Sequence, residues 1–195
     1  APVIIIAGGY DINKDNAGIG TPDSMGRAVF ILDAESGDIV HRFTASDVTT
    51  IGVTQFPTTD SLATKVSIMD TDGDGVTDRF YAVDTGGNVW RFDLPDDDRS
   101  HWSVFHFAEL GGDTLSDDRR FFGEVSVAPS SFERVEAITV EQNGGDQIIT
   151  TSSETPFDAV LVGSGNRASP NGGATQDYLF VLRDVHIRTQ YYGAA

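Results

Sequence analysis

Four aspartates within nine residues have the chemistry and the spacing of a metal-binding loop. In DTDGDGVTD (70–78), carboxylates occupy positions 1, 3, 5 and 9, and a glycine occupies position 6. This arrangement matches the first part of the EF-hand pattern D-x-[DN]-x-[DN]-G, in which alternate side chains of a tight loop point toward one centre. The predicted ligands are all oxygen atoms, supplied by the carbonyl of Val76 and the carboxylates of Asp70, Asp72, Asp74 and Asp78.

Hard oxygen ligands favour Ca²⁺ at this loop, whereas Mg²⁺ would demand octahedral order and would retain waters. Position 12 is Tyr81 instead of the bidentate glutamate of an EF-hand, and Tyr81 already belongs to the next predicted strand. We therefore predict an EF-hand-like calcium loop between two strands, and we expect carboxylate repulsion to loosen it when no cation is bound. The alternative is a solvated acidic turn.

Two weaker patterns favour ordinary loops over ligand sites. Asp11, Asn13 and Asp15 repeat the 1, 3, 5 spacing, but Asn16 stands where the glycine is needed, so a polar loop is favoured over a second ion. GSGNRA (163–168) fits the dinucleotide pattern G-x-G-x-x-[GA]. The SPNGGATQD that follows it forbids the helix that such a site requires.

No catalytic centre is predicted from the residue types and their spacing. The chain has no cysteine, which excludes thiolate zinc sites, iron–sulfur clusters and cysteine nucleophiles. It has no G-x-S-x-G nucleophile elbow. The histidines lack the i, i+4 spacing of a zinc site, so each is expected to be packed or on the surface: His41, His101, His106 and His186. We therefore predict that the protein is not an enzyme.

The amino-acid composition indicates which classes of molecule are suitable binding partners for the chain. The formal net charge is −17, from 30 acidic and 13 basic residues, so nucleic acids and anionic membranes are poor partners and divalent cations are better ones. No apolar run approaches the ~20 residues of a membrane-spanning helix. The length suits a single domain over 1–195, and the apolar start PVIIIAGGY (2–10) suggests a domain excised from a longer protein.

Short runs of β-branched and aromatic residues, separated by Gly, Asp and Asn turns, predict an all-β fold. Only 105–111 could form a helical turn, and it is equally compatible with a loop. RAVFILDAESGDIVHRF (27–43) and DRFYAVDTGGNVWRFDL (78–94) share one plan: a strand, a glycine-containing hairpin turn and a second strand that ends in Arg-Phe. Residues 177–192 are a looser third copy without the turn glycine.

A buried-type strand that runs into a Gly- or Asp-rich loop precedes each hairpin, at 2–11, 63–73 and 158–166. A period of about 50 residues with three or four short strands per repeat is typical of β-propeller blades. We predict three blades and a degenerate fourth within 119–150, as a fragment or trimmed form of a propeller. Trp90 and Trp102 are expected to pack between blades, with sugar stacking as the alternative.

The order of these motifs resembles the C-terminal β-propeller of the PilY family of type IV pilus biogenesis factors and tip-associated adhesins. Five segments, which together extend over most of 2–183, occur in the same order as in the family: GGYD, GRAVFILDAESG, DTDGDGVTDRFYAVDTGGNVWRFDL, RRFF and DAVLVGSGNR. The resemblance implies that calcium occupancy controls pilus extension and retraction, twitching motility and surface attachment. It also implies one Ca²⁺ in the loop, held by Asp70, Asp72, Asp74, the Val76 carbonyl and Asp78.

The resemblance further implies pilins or minor pilins as partners and a secreted, pilus-associated location at the cell surface, in the periplasm or at the outer membrane. Contacts with host or abiotic surfaces would belong to the family's N-terminal adhesive region, which lies outside this sequence. Two other functions stay open. The DAESGDIVHRF turn is similar to those of quinoprotein dehydrogenases, although their tryptophan signature is not evident. A secreted, calcium-stabilised propeller that binds glycans is the third possibility.

Overall fold

β-Strands account for almost all regular secondary structure in the computed structural model, which describes residues 2–16, 18–45, 52–142 and 145–188. Two short 3₁₀ turns, Ile12–Asp15 and Arg99–His101, are the exceptions within those ranges, and no helix there is long and apolar enough to cross a bilayer. The strands are β1 Val3–Ala7, β2 Ala28–Asp33, β3 Ile39–Thr44, β4 Val53–Gln55, β5 Ser67–Met69, β6 Arg79–Val83, β7 Asn88–Asp93, β8 Ser103–Glu109, β9 Ser126–Gln142, β10 Gly145–Gly163 and β11 Leu179–Asp184.

The strands of the described residues form three sheets. The first has the order β1-β2-β3-β4, with β4 parallel to β3, and the second is an antiparallel meander in the order β5-β6-β7-β8. The third has the order β11-β10-β9. The hairpins β2-β3 and β6-β7 match the repeated segments 27–43 and 78–94 to within one residue at each end, and each is preceded by a shorter strand, β1 or β5. The predicted all-β repeat is confirmed.

The turn between β6 and β7 shows how local sequence sets the geometry of a repeat. The Asp84 carboxylate accepts hydrogen bonds from the backbone N–H groups of Gly86 and Asn88, both at 3.0 Å, and from Trp90 Nε1 at 2.7 Å. Gly87 has φ = +88°, and a Cβ there would lie 2.6 Å from neighbouring backbone atoms. Only glycine fits this position, so the turn residues themselves fix the register of β6 against β7.

Both faces of the second sheet are buried at its central strands, β6 and β7. One face packs against the first sheet through a core that includes Phe43, Phe80 and Phe92, and the Phe80 and Phe92 rings stack with their centroids 4.3 Å apart. The opposite face packs against the third sheet through a second core that includes Tyr81 and Val160. Successive residues of β6 therefore face different cores, as expected for a strand whose side chains alternate.

Tryptophan packing follows the sequence prediction. Trp90 lies in the core between the first and second sheets, where its ring meets Phe56 edge-on at a centroid distance of 4.9 Å. Trp102 packs against the same core, and its indole N–H donates to the backbone carbonyl of Asp96 at 2.7 Å. Both rings thus contribute to the contact between two adjacent sheets.

Three sequence predictions are corrected by the structure. The segment 105–111, considered for a helical turn, lies mainly in β8 because it pairs with β7. Within the described residues, 119–150 forms no separate fourth blade: β9 and β10 make one long hairpin whose base joins the third sheet. The third copy at 177–192, which lacks the turn glycine, supplies only β11, and its residues 189–192 lie outside the described range.

His41 is a buried base at the contact between the first and second sheets. Its side chain is 2% exposed, its Nε2 lies 2.9 Å from Thr54 Oγ1, and its ring meets those of Phe43 and Trp102 edge-on at centroid distances of 4.9 and 5.1 Å. Burial, with a smaller contribution from Arg99, lowers the pKa of His41 from 6.5 to about 4. The neutral imidazole is therefore the form that the native state accommodates.

Acidification is expected to destabilise the fold through His41. The unfolded chain, whose histidine pKa lies near 6.5, binds more protons than the native state at pH values between about 6.5 and 4. The contribution of His41 to the free energy of unfolding is complete above that window and falls by up to about 1.4 kcal/mol per pH unit as the pH decreases through it. Urea unfolding of the wild-type protein and of His41→Gln, at neutral pH and at about pH 5, measures this term.

The His41→Gln variant should lose less stability on acidification than the wild-type protein. His101→Gln is the matched control, because the hydrogen bond that the His101 ring donates to the Asp96 carboxylate raises the pKa of His101 and so gives the opposite dependence on pH. Equal acid sensitivity in His41→Gln and the wild-type protein would show that the buried imidazole is not a source of the acid instability.

Candidate metal centre

The aspartate-rich loop 70–78 connects β5 to β6 and is closed at its base by backbone hydrogen bonds. The N–H of Asp78 donates to the carbonyl of Met69 at 3.0 Å, and Met69 pairs with Arg79 in the β5-β6 register. The carbonyl of Asp78 accepts the N–H of Leu94 at 2.7 Å, just beyond the end of β7. The last residue of the loop is thus held by strands on both sides, while the loop tip is exposed to solvent.

Three of the four predicted carboxylates converge. Asp70, Asp72 and Asp78 each offer an oxygen atom, and these oxygens all lie within 4.8 Å of one another. Two oxygens bound to one Ca²⁺ at 2.3–2.6 Å can be no more than about 5 Å apart, so this spacing fits a single ion. The donor set is entirely hard oxygen, which suits Ca²⁺ in charge and chemistry. Among the described residues this is the one such cluster of potential ligands.

Asp74 is not among these converging carboxylates. The Asp74 carboxylate instead accepts the backbone N–H of Val76 at 2.7 Å, a local bond across its own turn. The Val76 side chain is exposed to solvent. In the structure the loop therefore presents three carboxylates to one point, and Asp74 would need to rotate away from Val76 to join them.

The loop is ordered by hydrogen bonds to its own carboxylates. Asp70 accepts the N–H groups of Gly73 and Gly75 at 2.6 and 2.8 Å, and these bonds hold the pKa of Asp70 below its usual range. Asp78 accepts the N–H and the hydroxyl of Thr71 at 2.6 and 2.5 Å. Gly75 has φ = +88°, a conformation that a side chain would strain. These bonds are contacts within the loop that the sequence analysis did not predict.

Directly after the loop, Arg79 enters a buried ion network between the second and third sheets. The Arg79 side chain is fully buried, with Nε 3.1 Å from Asp93 Oδ1 and Nη1 2.9 Å from Asp158 Oδ2 on β10. Arg91 pairs with the other Asp93 oxygen at 2.8 Å and with Asp184 on β11 at 2.6 Å. β6, the strand that begins at the metal loop, is therefore ion-paired to β10 of the third sheet, and its neighbour β7 is ion-paired to β11.

Burial raises the pKa values of two groups in this network, Asp158 and Tyr81. Desolvation, offset in part by Arg79, raises the pKa of Asp158, and the nearby Asp184 raises it further. Burial also raises the pKa of Tyr81, whose hydroxyl donates to Asp184 at 2.7 Å. The sequence analysis missed these residues. Charged side chains within strands that are buried on both faces were the signal that could have identified them.

The weaker candidate for a second ion site, at Asp11, Asn13 and Asp15, is a polar loop in the structure, as its sequence favoured. The Asp11 carboxylate accepts the N–H of Asn13, the N–H and hydroxyl of Ser24, and the N–H of Met25. Asp15 instead accepts the hydroxyl of Tyr10. The oxygen atoms of Asp11, Asn13 and Asp15 are thus committed to separate protein partners, and the structure does not bring them together.

The remaining candidates from the sequence do not form a site within the described residues. No histidine belongs to a cluster of potential metal ligands there. His101 contacts Asp96, and His106 contacts Asn88. The segment 163–168 ends β10 and continues as irregular chain without a helix, as its sequence predicted.

Comparisons with known proteins agree with this architecture. The family described as the PilY1 beta-propeller domain matches residues 3–152 of the chain. A curated relative, the Type IV pilus biogenesis factor PilY1 homolog of Xylella fastidiosa, is 31% identical over 103 residues, which cover 48% of this chain and 6% of the relative. The chain therefore spans a small fraction of that protein.

A solved structure shows the same fold. The crystal structure of the Pseudomonas aeruginosa PilY1 C-terminal domain resembles this chain with a TM-score of 0.51 at 19% sequence identity. The match covers 86% of this chain and 33% of that one. At this level of identity the likeness supports the architecture of stacked sheets and carries no argument about individual residues.

Repulsion among the converging carboxylates generates a prediction for Asp72→Asn. Without divalent cations, removing one of three neighbouring charges should raise the free energy of unfolding, by up to about 1 kcal/mol for exposed groups at this separation. With excess calcium, the same variant should be less stable than the wild-type protein, because one charged ligand is lost. Urea unfolding in chelator and in calcium measures both effects.

Asp97→Asn, at an exposed aspartate outside the loop, is the matched control and should respond little to either condition. If Asp72→Asn shifts stability in the same direction in chelator and in calcium, the three carboxylates do not form a cation site.

Proposed function

The chain belongs to the PilY1 β-propeller domain family, and from this premise we propose that it is the calcium-binding module of a type IV pilus biogenesis protein. The observation that carries the proposal is the convergence of the Asp70, Asp72 and Asp78 carboxylates to within 4.8 Å in a loop between two strands. The chemistry of the donor set and the spacing of its oxygens support Ca²⁺ as the ion.

In this proposal, Asp70, Asp72 and Asp78 hold the ion, and Asp74 and the Val76 carbonyl complete the set once the Asp74 side chain leaves the Val76 N–H. A bound Ca²⁺ would neutralise the negative charge that these carboxylates otherwise concentrate. Asp78 then carries the effect into the fold. Its backbone bonds to Met69 and Leu94, and its neighbour Arg79 is locked between two sheets.

Through this connection we propose that calcium occupancy regulates pilus extension and retraction, twitching motility and surface attachment. The proposed partners are pilus components such as pilins or minor pilins. The proposed location is the cell surface, in association with the pilus, or else the periplasm or the outer membrane. The family match and the pilus biogenesis factor among the relatives support this assignment.

We further propose that the chain has no catalytic activity of its own. The converging carboxylates lie on an exposed loop and are engaged by backbone N–H groups of that loop, which leaves little room for a substrate. A quinoprotein-like dehydrogenase and a glycan-binding propeller are the rival functions. Quinone-dependent alcohol or sugar oxidation by the protein supplied with quinone and Ca²⁺ would favour the first, and specific binding on a glycan array would favour the second.

One calcium ion per chain is the first expected result. After dialysis against calcium-containing buffer, elemental analysis should find about one equivalent of calcium, and an excess of magnesium should not displace it, because the loop is not built for strict octahedral order. A calcium content near zero would contradict the proposal directly.

The second expected result concerns Asp78→Ala. Loss of one carboxylate from a charge-dense site should lower calcium affinity by tenfold or more, or ~1.4 kcal/mol, as measured by calorimetric titration. Asp74→Ala is the matched comparison. It should lower calcium affinity by less than Asp78→Ala does, because Asp74 lies outside the converging group. The β fold should survive in both variants, since apolar strands and not the ion hold the sheets together.

In the parent organism, Asp78→Ala should alter pilus-dependent motility while the protein remains at its normal level. Wild-type calcium affinity in this variant, or complete loss of its fold, would show that the role assigned to the loop is wrong.

A further inference from the structure

Over most of its length, the long hairpin β9-β10 has no partner strand on either outer edge among the described residues. β10 pairs with β9 over 145–161, but β11 covers only 158–163 on its other side. Over 145–157, β10 therefore has a single neighbouring strand among the described residues. A two-stranded ribbon of this kind is marginally stable by itself. We call residues 130–142 and 145–157 the arm.

Apolar side chains are exposed on both faces of the arm. Ile138 and Ile149 oppose each other on one face and are 52% and 45% exposed, and on the other face Val135 and Ile148 are 60% and 73% exposed. Proteins usually protect free edges with lysine, proline or short strands. The arm has no lysine, and in its β10 half the one proline, Pro156, lies at the base. An edge so unprotected indicates a contact surface.

Charge decides what can occupy this edge. The segment 148–153 (IITTSS) is uncharged in a chain of net charge −17. A symmetric contact sets a surface against its own copy, so a strongly acidic chain self-pairs best through an uncharged strand. The arm segment of β9 instead carries Glu133, Arg134 and Glu136. We propose that the free edge of β10 pairs with the same edge of a second copy, antiparallel about a twofold axis at Thr151.

This pairing creates a four-stranded antiparallel sheet across the twofold axis. With Thr151 opposite its own copy, Thr150 lies opposite Ser152 and Ile149 lies opposite Ser153, so no charged side chains face each other over this stretch. The edges left on the outside belong to β9 and carry its charged residues. Further strand addition is therefore disfavoured, and the assembly closes at two copies.

The test is the oligomeric state of the full chain, measured by sedimentation velocity across a wide range of concentrations. The wild-type protein should form a concentration-dependent dimer. Thr151→Lys and Thr151→Glu should each weaken dimerisation tenfold or more, because each puts two like charges opposite each other. An equimolar mixture of the two variants should restore the dimer, since lysine then faces glutamate.

Thr139→Lys is the matched control. Thr139 is an exposed threonine on β9, so the same charge is added to the arm but away from the free edge of β10. It should dimerise as the wild-type protein does, and circular dichroism should show the same β content in all variants. A monomeric wild-type protein at every concentration would overturn the proposal and leave the edge for a strand of another protein. A dimer that Thr151→Lys does not weaken would overturn it too.

Discussion

Burial of the Arg79 guanidinium between the second and third sheets is the constraint on which the metal loop depends. A buried charge without partners costs several kcal/mol, so Asp93 and Asp158 must stand where the guanidinium can reach them. Those partners lie on β7 and β10, and meeting both fixes the start of β6 relative to two other strands. Since β6 starts where the loop ends, the position of Asp78 is set by the fold and not by the loop alone.

Burial of β6 on both faces explains why the molecule is built from stacked sheets. Alternate residues of β6 supply Phe80 to one core and Tyr81 to the other, so the sheet needs a neighbour on each face. The two neighbouring sheets make different kinds of contact with the second sheet. The first sheet offers aromatic packing around Phe43, whereas the third offers Asp158 and Asp184 to the two buried arginines. The loop thus adjoins the contact between the second and third sheets, which contains these buried ion pairs.

Sequence reasoning succeeded where structure is decided locally. The hairpins of 27–43 and 78–94 were predictable because turn glycines and alternating strands lie within a few residues of one another. The arm was predictable only in part: the Asn-Gly pair in QNGG (142–145) is a hairpin signal, but nothing in the local sequence sets a register as long as seventeen pairs. The ion network was hidden for a different reason. Nothing in a strand's own sequence tells which distant aspartate will neutralise its arginine.

The metal loop itself was predictable in part. The 1, 3 and 9 positions converge because alternate side chains of a tight loop point inward, so spacing alone identified Asp70, Asp72 and Asp78. Asp74 is not part of this cluster, although its local bond to the Val76 N–H is of the same kind as the bond that Asp72 accepts from the Asp74 N–H. A pattern of residue types identifies possible ligands, whereas the folded geometry of the loop sets which carboxylates lie close together.

Amide hydrogen exchange with and without calcium is the most direct test of the central claim. It measures whether calcium binding to the loop also stabilises β6 through Asp78 and Arg79. Calcium should slow exchange at the loop amides, including Gly73 and Gly75, and at β6 and the Leu94 amide that bonds to Asp78. The first sheet should change little. Protection confined to the loop, protection spread evenly over all three sheets, or no change on adding calcium would each contradict the account.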